Sequence, residues 1–210
     1  MKDIERFITG FRNFRDDYFG PKNPHFEPLK HAQNPKTMII GCCDSRVDPA
    51  ILTNCAPGEI FTVRNVANLV PPFQDDGGQH GVSAALEFAV CHLGVEHIVV
   101  LGHSQCGGIK ALMAGNCGCN GNVFISNWMS IAASARDKVL AELPEKDAQL
   151  QQRAAEQAGI LLSLENLHSF PFIEQRIRTG TLSLHGWYFD LAAGELLEYL
   201  PGDSGFKKVG

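Results

Sequence analysis

Short apolar runs alternate along the chain with longer segments of helical periodicity. The runs predict strands at 37–41, 60–64 and 97–102. Helices are predicted from the apolar periodicity over 79–93, 107–114, 123–141, 147–168 and 172–178. Two final runs, 181–192 and 195–200, flank Ala193-Gly194 and predict a hairpin. This alternation favours an α/β fold with a mostly parallel central sheet flanked by helices.

The N-terminal segment predicts an amphipathic helix, because its large apolar residues recur at helical spacing. These residues are Ile4, Phe7, Ile8, Phe11 and Phe14. An apolar stripe of this size needs a surface to cover it, and we expect that surface to belong to a partner subunit. No composition shift marks a domain boundary, so a single domain over 1–210 is predicted.

Composition excludes several classes of partner. The chain has 210 residues, is 44% hydrophobic and 20% charged, and carries a net charge of -5. These values are typical of a globular protein, and without a basic block no nucleic-acid partner is expected. No apolar run reaches the length of a membrane span. The N-terminus has early acidic residues rather than a signal sequence, so a cytoplasmic location is expected.

Two cysteines and one histidine follow the predicted strands. Cys42 ends the first apolar run, and His103 and Cys106 follow the run at 97–102. Because the carboxyl ends of parallel strands share one edge of the sheet, these side chains are expected to meet there. Two thiolates and one imidazole form a common catalytic zinc set whose fourth position stays open for water. Taken singly, each of these residues more often has a structural role, because buried cysteines and hydrogen-bonded histidines are common.

Asp44 and Arg46 stand beside the first cysteine and suggest proton chemistry. An aspartate near a zinc-bound water can accept its proton or orient the hydroxide, and a neighbouring arginine keeps the carboxylate ionised. The alternative is a surface salt bridge, which contributes little. Two thiolates also neutralise the metal's charge, so higher activity is expected at alkaline pH.

The other reactive side chains give weaker signals. The chain has seven cysteines, an odd number that excludes complete internal pairing. Cys117 and Cys119 lie among glycines and predict an exposed loop, whereas Cys43 is expected to pack on the face opposite Cys42. Cys55 and Cys91 fit core or surface thiols. Candidates for a proton relay are His80, His92, His97, His168 and His185, but the sequence does not select one of them, and a structural or solvent-exposed role fits most of them.

The motifs resemble those of the β-class carbonic anhydrases, in their plant-type form. The run 42–46 is similar to the family's Cys-x-Asp-Ser-Arg motif, and 103–108 is similar to its His-x-x-Cys-Gly-Gly motif. The resemblance extends from about Gln33 to Met113. It implies a zinc enzyme that interconverts carbon dioxide and bicarbonate. It also implies Cys42, His103 and Cys106 as ligands, with a zinc hydroxide nucleophile oriented by Asp44 and Arg46.

The same resemblance implies a substrate pocket at a subunit interface. It places Gln33 as the amide that binds substrate, and it assigns the pocket wall to Phe61, Val66, Phe88 and Gly107. Phe88 stands where plant-type members often carry tyrosine, so a hydroxyl contact is not expected there. The family's dimer, with N-terminal helices wrapped over the partner, implies a homodimer and leaves a tetramer open.

Position 39 bears on the state of the site. In some members of the family the aspartate binds zinc and displaces water, and those members carry tryptophan three residues before the first cysteine. Here that position is Ile39. We therefore predict an open site at neutral pH, with Cys42, His103, Cys106 and water on zinc. Asp44 would be a ligand only in a closed state.

Two alternative functions stay open. The same site could hydrolyse carbonyl sulfide or carbon disulfide, which are linear molecules like carbon dioxide. A non-catalytic, zinc-stabilised interaction protein is the alternative from another class, although structural zinc sites usually have four protein ligands.

Overall fold

A computed structural model describes residues 2–19, 26–115, 123–203 and 205–209. The chain divides into two compact units, Met1–Asn34 and Pro35–Gly210. The single domain expected over 1–210 stays a prediction. In the described residues, no helix combines the length and the apolar character that crossing a membrane requires.

The first unit contains the predicted amphipathic helix. Helix α1 spans Lys2–Phe19, and the short α2 spans Phe26–Leu29. The ring of Phe26 packs against those of Phe14 and Phe19 with centroid distances of 5.6 and 4.6 Å. The apolar stripe of α1 is uncovered, with Phe7 and Phe11 59% and 61% exposed. Its docking on a partner subunit stays a prediction.

The described residues of the second unit form a six-stranded sheet in the order β2-β1-β3-β4-β5-β6. The strands are β1 (Thr37–Cys42), β2 (Ile60–Asn65), β3 (His97–His103), β4 (Ser183–Asp190), β5 (Glu195–Leu200) and β6 (Gly205–Lys208). The first four strands pair in parallel, whereas β4–β5 and β5–β6 are antiparallel. The predicted mostly parallel sheet and closing hairpin are confirmed. Strand β6 was not predicted, because it has four residues and ends in two lysines.

Helices flank this sheet. They are α3 (Pro49–Thr53), α4 (Gly81–Glu87), α5 (Gly107–Met113), α6 (Val123–Met129), α7 (Ala133–Glu142), α8 (Ala148–Leu167) and α9 (Pro171–Arg178). The helix expected over 79–93 is only partly α-helical, because a π-helical stretch forms Phe88–Leu93 before Gly94 ends it at φ 67°. The helix expected over 123–141 is divided by a 3₁₀ turn at Ser130–Ala132.

Side chains of β1 and β3 alternate between the two faces of the sheet. Met38 and Val100 belong to the core cluster that also contains Ile160 of α8, whereas Ile39 and Val99 belong to a smaller cluster. This alternation follows from the two-residue repeat of a strand. Helix α8 packs closely on the end of β3: a Cβ added at Gly102 would lie 2.7 Å from Ile160 Cδ1.

Candidate metal centre

The structure brings Cys42, His103 and Cys106 together at the carboxyl edge of the sheet. Cys42 and His103 are the last residues of the neighbouring parallel strands β1 and β3, and Cys106 directly precedes α5. One ligand atom from each residue lies within 4.8 Å of the other two, and the two sulfur atoms are 4.0 Å apart. Two Zn–S bonds of about 2.3 Å at a tetrahedral angle would separate the sulfurs by about 3.8 Å. All three residues are buried.

The histidine is oriented as a metal ligand would be. Its Nδ1 lies 2.9 Å from the carbonyl oxygen of Ser104, so Nδ1 carries the hydrogen and Nε2 presents its lone pair. Among the described residues, Nε2 is the buried side-chain nitrogen or oxygen that has no hydrogen-bond partner. Leaving such an atom unpaired is costly in a protein interior. The residues therefore fit a metal ion, which would satisfy it.

The two thiols differ in acidity. A hydrogen bond from Cys106 lowers the pKa of Cys42 to about 4, against the effect of burial, and the amide of Asp44 helps from 3.4 Å. The hydrogen bond to Cys42 and burial raise the pKa of Cys106. For His103, burial disfavours the charged ring, but the nearby Cys42 thiolate outweighs this effect and raises the pKa. Without metal, the cluster therefore holds one thiolate and one thiol.

Asp44 and Arg46 form a two-point ion pair on the loop after β1. Arg46 Nε donates to Oδ1 at 2.9 Å and Nη2 donates to Oδ2 at 2.7 Å. The backbone amide of Arg46 also donates to Oδ1, at 3.0 Å. The guanidinium holds the pKa of the Asp44 carboxyl far below its ordinary value. Asp44 Oδ2 lies 3.9 Å from His103 Nε2, which places an ionised acceptor beside the candidate metal ligands without a hydrogen bond from its carboxylate to them.

Arg64 and Asp48 hold the loop that carries this pair. Arg64 donates to the carbonyl oxygens of Cys42 and Asp44 at 2.8 and 2.7 Å, and to Asp48 Oδ2 at 2.7 Å. Asp48 also caps the N-terminus of α3. Sequence reasoning assigned Arg64 no role at this site, since its side chain crosses from β2 to β1 only in the folded sheet.

Val66 and Gly107 lie next to the cluster. Val66 begins a 3₁₀ turn in which Ala67 and Asn68 have φ of 64° and 49°, a left-handed conformation that is unfavourable for Ala67 and more readily adopted by asparagine. Trp128 Nε1 holds this turn by donating to the Val66 carbonyl at 2.7 Å. Gly107 begins α5 directly after Cys106. A groove of about 810 Å³ opens beside Val66 and Trp128.

The aromatic residues predicted for the pocket wall do not reach this edge within the chain. Phe61 pairs with Met38, whereas Cys42 pairs with Asn65 four residues further along the strand. That separation is about 13 Å at the usual rise of a strand. The ring of Phe88 packs on Phe61 with centroids 5.9 Å apart and is 44% exposed. Gln33 is exposed and belongs to the first unit.

Other sequence predictions have mixed outcomes. Cys43 was expected to pack but is exposed, because β1 ends at Cys42 and the strand alternation stops there. Cys91 is exposed and Cys55 is partly buried. Cys117 and Cys119 lie outside the described residues. One buried contact was missed: Glu156 of α8 accepts a hydrogen bond from the amide of Cys106 at 2.9 Å. Nothing in the sequence distinguishes this glutamate from the exposed ones.

Comparisons with known proteins agree with this geometry. Residues 37–196 match the family model described as carbonic anhydrase. The chain is 36% identical to a carbonic anhydrase of Synechocystis, with 93% of the chain and 71% of the relative covered. It is 44% identical to the chloroplastic β carbonic anhydrase 5 of Arabidopsis thaliana, with 90% and 61% covered. The chain thus spans about two thirds of the length of these curated relatives.

Solved structures show the same architecture. The β-carbonic anhydrase CcaA superposes with a TM-score of 0.93 at 33% identity, over 100% of this chain and 93% of that one. A tetrameric β-carbonic anhydrase of Sordaria macrospora gives 0.80 at 31% identity, over 93% and 96%. The match of the family model over most of the chain, together with these relatives, establishes that the chain belongs to the β-carbonic anhydrase family of enzymes.

Proposed function

We propose that this enzyme catalyses the zinc-dependent, reversible hydration of carbon dioxide to bicarbonate and a proton, with Cys42, His103 and Cys106 as the zinc ligands. The observation that carries the proposal is the buried S, N, S donor set with an unpaired His103 Nε2. Sulfur and imidazole donors suit zinc. Among the described residues three protein donors meet rather than four, which leaves a coordination position for water and disfavours a purely structural site.

Bound zinc would supply a Lewis acid that makes a water molecule nucleophilic near neutral pH. The chain's own part is to orient that water. Asp44 is held ionised by Arg46, so it can only accept a hydrogen bond. The water that zinc would activate lies beside His103 in this proposal and donates a hydrogen bond to Asp44. This hydrogen bond fixes the orientation of the water, so that a free lone pair of its oxygen is directed toward the carbon of the substrate. Arg46 thereby acts through the position and charge of Asp44.

We infer that the site is open at neutral pH. Both carboxylate oxygens of Asp44 are engaged by Arg46, and a switch to the metal would break this two-point pair. Ile39 is buried in an apolar cluster with Val99 and Leu101, so it offers no polar group that would hold a second bicarbonate.

The substrate pocket is proposed to form between copies of the chain. Val66 and Gly107 lie beside the donor set of their own chain, whereas Phe61 lies far down β2 and the ring of Phe88 packs on it. We assign these aromatic residues and Gln33 to the pocket of a second copy. The tetrameric assembly of the Sordaria macrospora relative supports a homo-oligomer, dimeric or tetrameric. The cytoplasmic location stays a prediction, and one relative is chloroplastic.

Metal analysis and a stopped-flow hydration assay test the proposal together. We expect one zinc per chain, rapid hydration of carbon dioxide, loss of activity on chelation and recovery with added zinc. Carbonyl sulfide and carbon disulfide are assayed side by side with carbon dioxide. Fully zinc-loaded protein that hydrates no carbon dioxide would contradict the proposal, and turnover of a sulfur-containing gas in its place would identify the alternative hydrolase.

A further inference from the structure

Glu156 is a buried carboxylate placed directly behind one of the candidate ligands. It lies on α8 and is 4% exposed. Its Oε1 accepts hydrogen bonds from the Cys106 amide at 2.9 Å and from Gln152 Nε2 at 2.8 Å, and its Oε2 accepts one from Tyr188 Oη at 2.8 Å. Burying a carboxylate is costly unless its oxygen atoms accept hydrogen bonds, as they do here.

The group that Glu156 holds is the peptide between Gln105 and Cys106. Gln105 has φ of 57°, a left-handed conformation that costs a residue with a side chain free energy. The Cys106 amide donates to Glu156, while the Gln105 carbonyl accepts from Arg46 Nη2 at 3.2 Å. Both ends of one strained peptide are therefore fixed, one by a buried carboxylate and the other by the arginine that holds Asp44.

We propose that Glu156 is a positioning residue that fixes the Gln105–Cys106 peptide. Through this peptide it fixes the direction of the Cys106 sulfur and the position of the Gln105 carbonyl to which Arg46 donates. This inference rests on the proposed function, since it concerns the same metal site. Without the carboxylate, the Cys106 amide would be buried without a partner, and the strained peptide would be free to rotate. The sulfur would then leave the position that it shares with Cys42 and His103.

Cobalt substitution tests this geometry without any assay of turnover. Cobalt(II) bound through thiolates absorbs in the visible and near-ultraviolet, and the bands report the arrangement of the ligands. In Glu156→Ala we expect shifted bands and zinc affinity lower by about tenfold to a hundredfold, the range for partners that orient metal ligands. Glu156→Gln keeps an acceptor oxygen for the Cys106 amide and is expected to restore the wild-type spectrum.

Two further variants separate positioning from simple stabilisation. Tyr188→Phe removes a different hydrogen bond of the same carboxylate, so it is expected to lower thermal stability and leave the cobalt spectrum unchanged. Adding Gln105→Gly to Glu156→Ala relieves the left-handed strain, because glycine adopts this conformation freely. Part of the zinc affinity is expected to return.

The inference is overturned if Glu156→Ala folds with the wild-type cobalt spectrum and zinc affinity, whatever its stability. If that variant does not fold, Glu156→Asp is used instead, because its side chain is shorter by one methylene and its carboxylate no longer reaches the Cys106 amide. The same shift of the cobalt bands is expected, and a wild-type spectrum and zinc affinity would again overturn the inference. Wild-type protein that binds zinc but hydrates no carbon dioxide would contradict the proposed function alone, because the cobalt comparison requires only metal binding.

Discussion

The guanidinium of Arg46 holds both carboxylate oxygens of Asp44, through Nε at 2.9 Å and Nη2 at 2.7 Å. A two-point pair fixes the plane of the carboxylate as well as its charge, which a lysine could not do. Because Asp44 also lies 3.9 Å from His103 Nε2, the pair aims an obligate hydrogen-bond acceptor at the place where substrate water would bind.

Replacing the acceptor of this pair is expected to separate catalysis from metal binding. Asp44→Asn presents an amide nitrogen that can no longer accept, so hydration should fall by about a hundredfold to ten-thousandfold while zinc stays bound. Stopped-flow rates and zinc content of the same samples check this. Asp137→Asn changes a surface carboxylate and serves as the control. Near-normal turnover in Asp44→Asn would reject the role of the pair.

Removing Arg46 is expected to close the site. In Arg46→Gln the carboxylate of Asp44 loses its two-point partner, so it can bind the metal in place of water. A crystal structure of the zinc-loaded variant near pH 7 should show an Asp44 oxygen about 2.0–2.2 Å from zinc. The zinc-loaded wild-type protein at the same pH should keep Asp44 on Arg46. Direct coordination by Asp44 in the wild-type crystal would contradict the open site.

Zinc binding is expected to release protons in a pH-dependent way. Near pH 7 Cys42 is already ionised, with its pKa at about 4, whereas the raised pKa of Cys106 keeps that thiol protonated. The pKa of His103 is also raised, so its ring keeps its second proton to higher pH than a free imidazole does. Since zinc takes thiolates and neutral imidazole, protons compete with it and affinity should rise with pH. As the pH rises through the pKa of His103, the proton released by the imidazole should disappear from the total, which leaves the proton of Cys106 and that of the ionising zinc-bound water.

Calorimetry in buffers of different protonation enthalpy measures this release. Cys43→Ser is the matched control, because this exposed thiol stands next to Cys42 but outside the donor cluster. Its proton release should equal that of the wild type. A release at the alkaline end that exceeds the protons of Cys106 and of zinc-bound water by about one would mean that metal-free Cys42 is protonated.

Two adjacent glycines at the start of α5 are expected to respond differently to the same change. A Cβ at Gly108 would lie 2.8 Å from Val66 Cγ1, whereas a Cβ at Gly107 would meet nothing within 4 Å. Gly108→Ala should therefore lower the free energy of unfolding by about 1–3 kcal/mol. Gly107→Ala should leave it unchanged or raise it by up to about 1 kcal/mol. Denaturant unfolding distinguishes them, and equal effects would argue against the close contact with Val66.

Charges on the apolar stripe of α1 are expected to weaken the oligomer. Phe7 and Phe11 are largely exposed in the single chain, and burying Glu in their place at an interface would be unfavourable. The double variant Phe7→Glu/Phe11→Glu should sediment as a smaller species and lose hydration activity. Asn13→Glu, on the opposite side of the helix, should behave as the wild type. A wild-type chain that is already monomeric and fully active would contradict the shared pocket.

The sequence predicted the parallel part of the fold because its signals are local. Apolar runs such as 37–41 and 97–102 are buried on both faces, and Gly94 stops its helix as expected. The π-helical stretch at Phe88–Leu93 and the 3₁₀ turn at Ser130–Ala132 were missed. In both stretches the spacing of the apolar residues differs from that of an α-helix by no more than one residue. The sequence therefore does not distinguish them from an α-helix, and packing against neighbouring elements decides their conformation.

For the site, the sequence by itself determined which atoms are available: two sulfurs and an imidazole placed where strands end, with Asp44 and Arg46 close by in the chain. Only the tertiary structure decided that β1 and β3 are neighbours, which brings Cys42 to His103, and that Arg64 and Glu156 support them. It also placed Phe61 far from the donor set of its own chain. The physical reason is that contacts between residues distant in the chain depend on strand order and register, which a pattern of nearest neighbours does not encode.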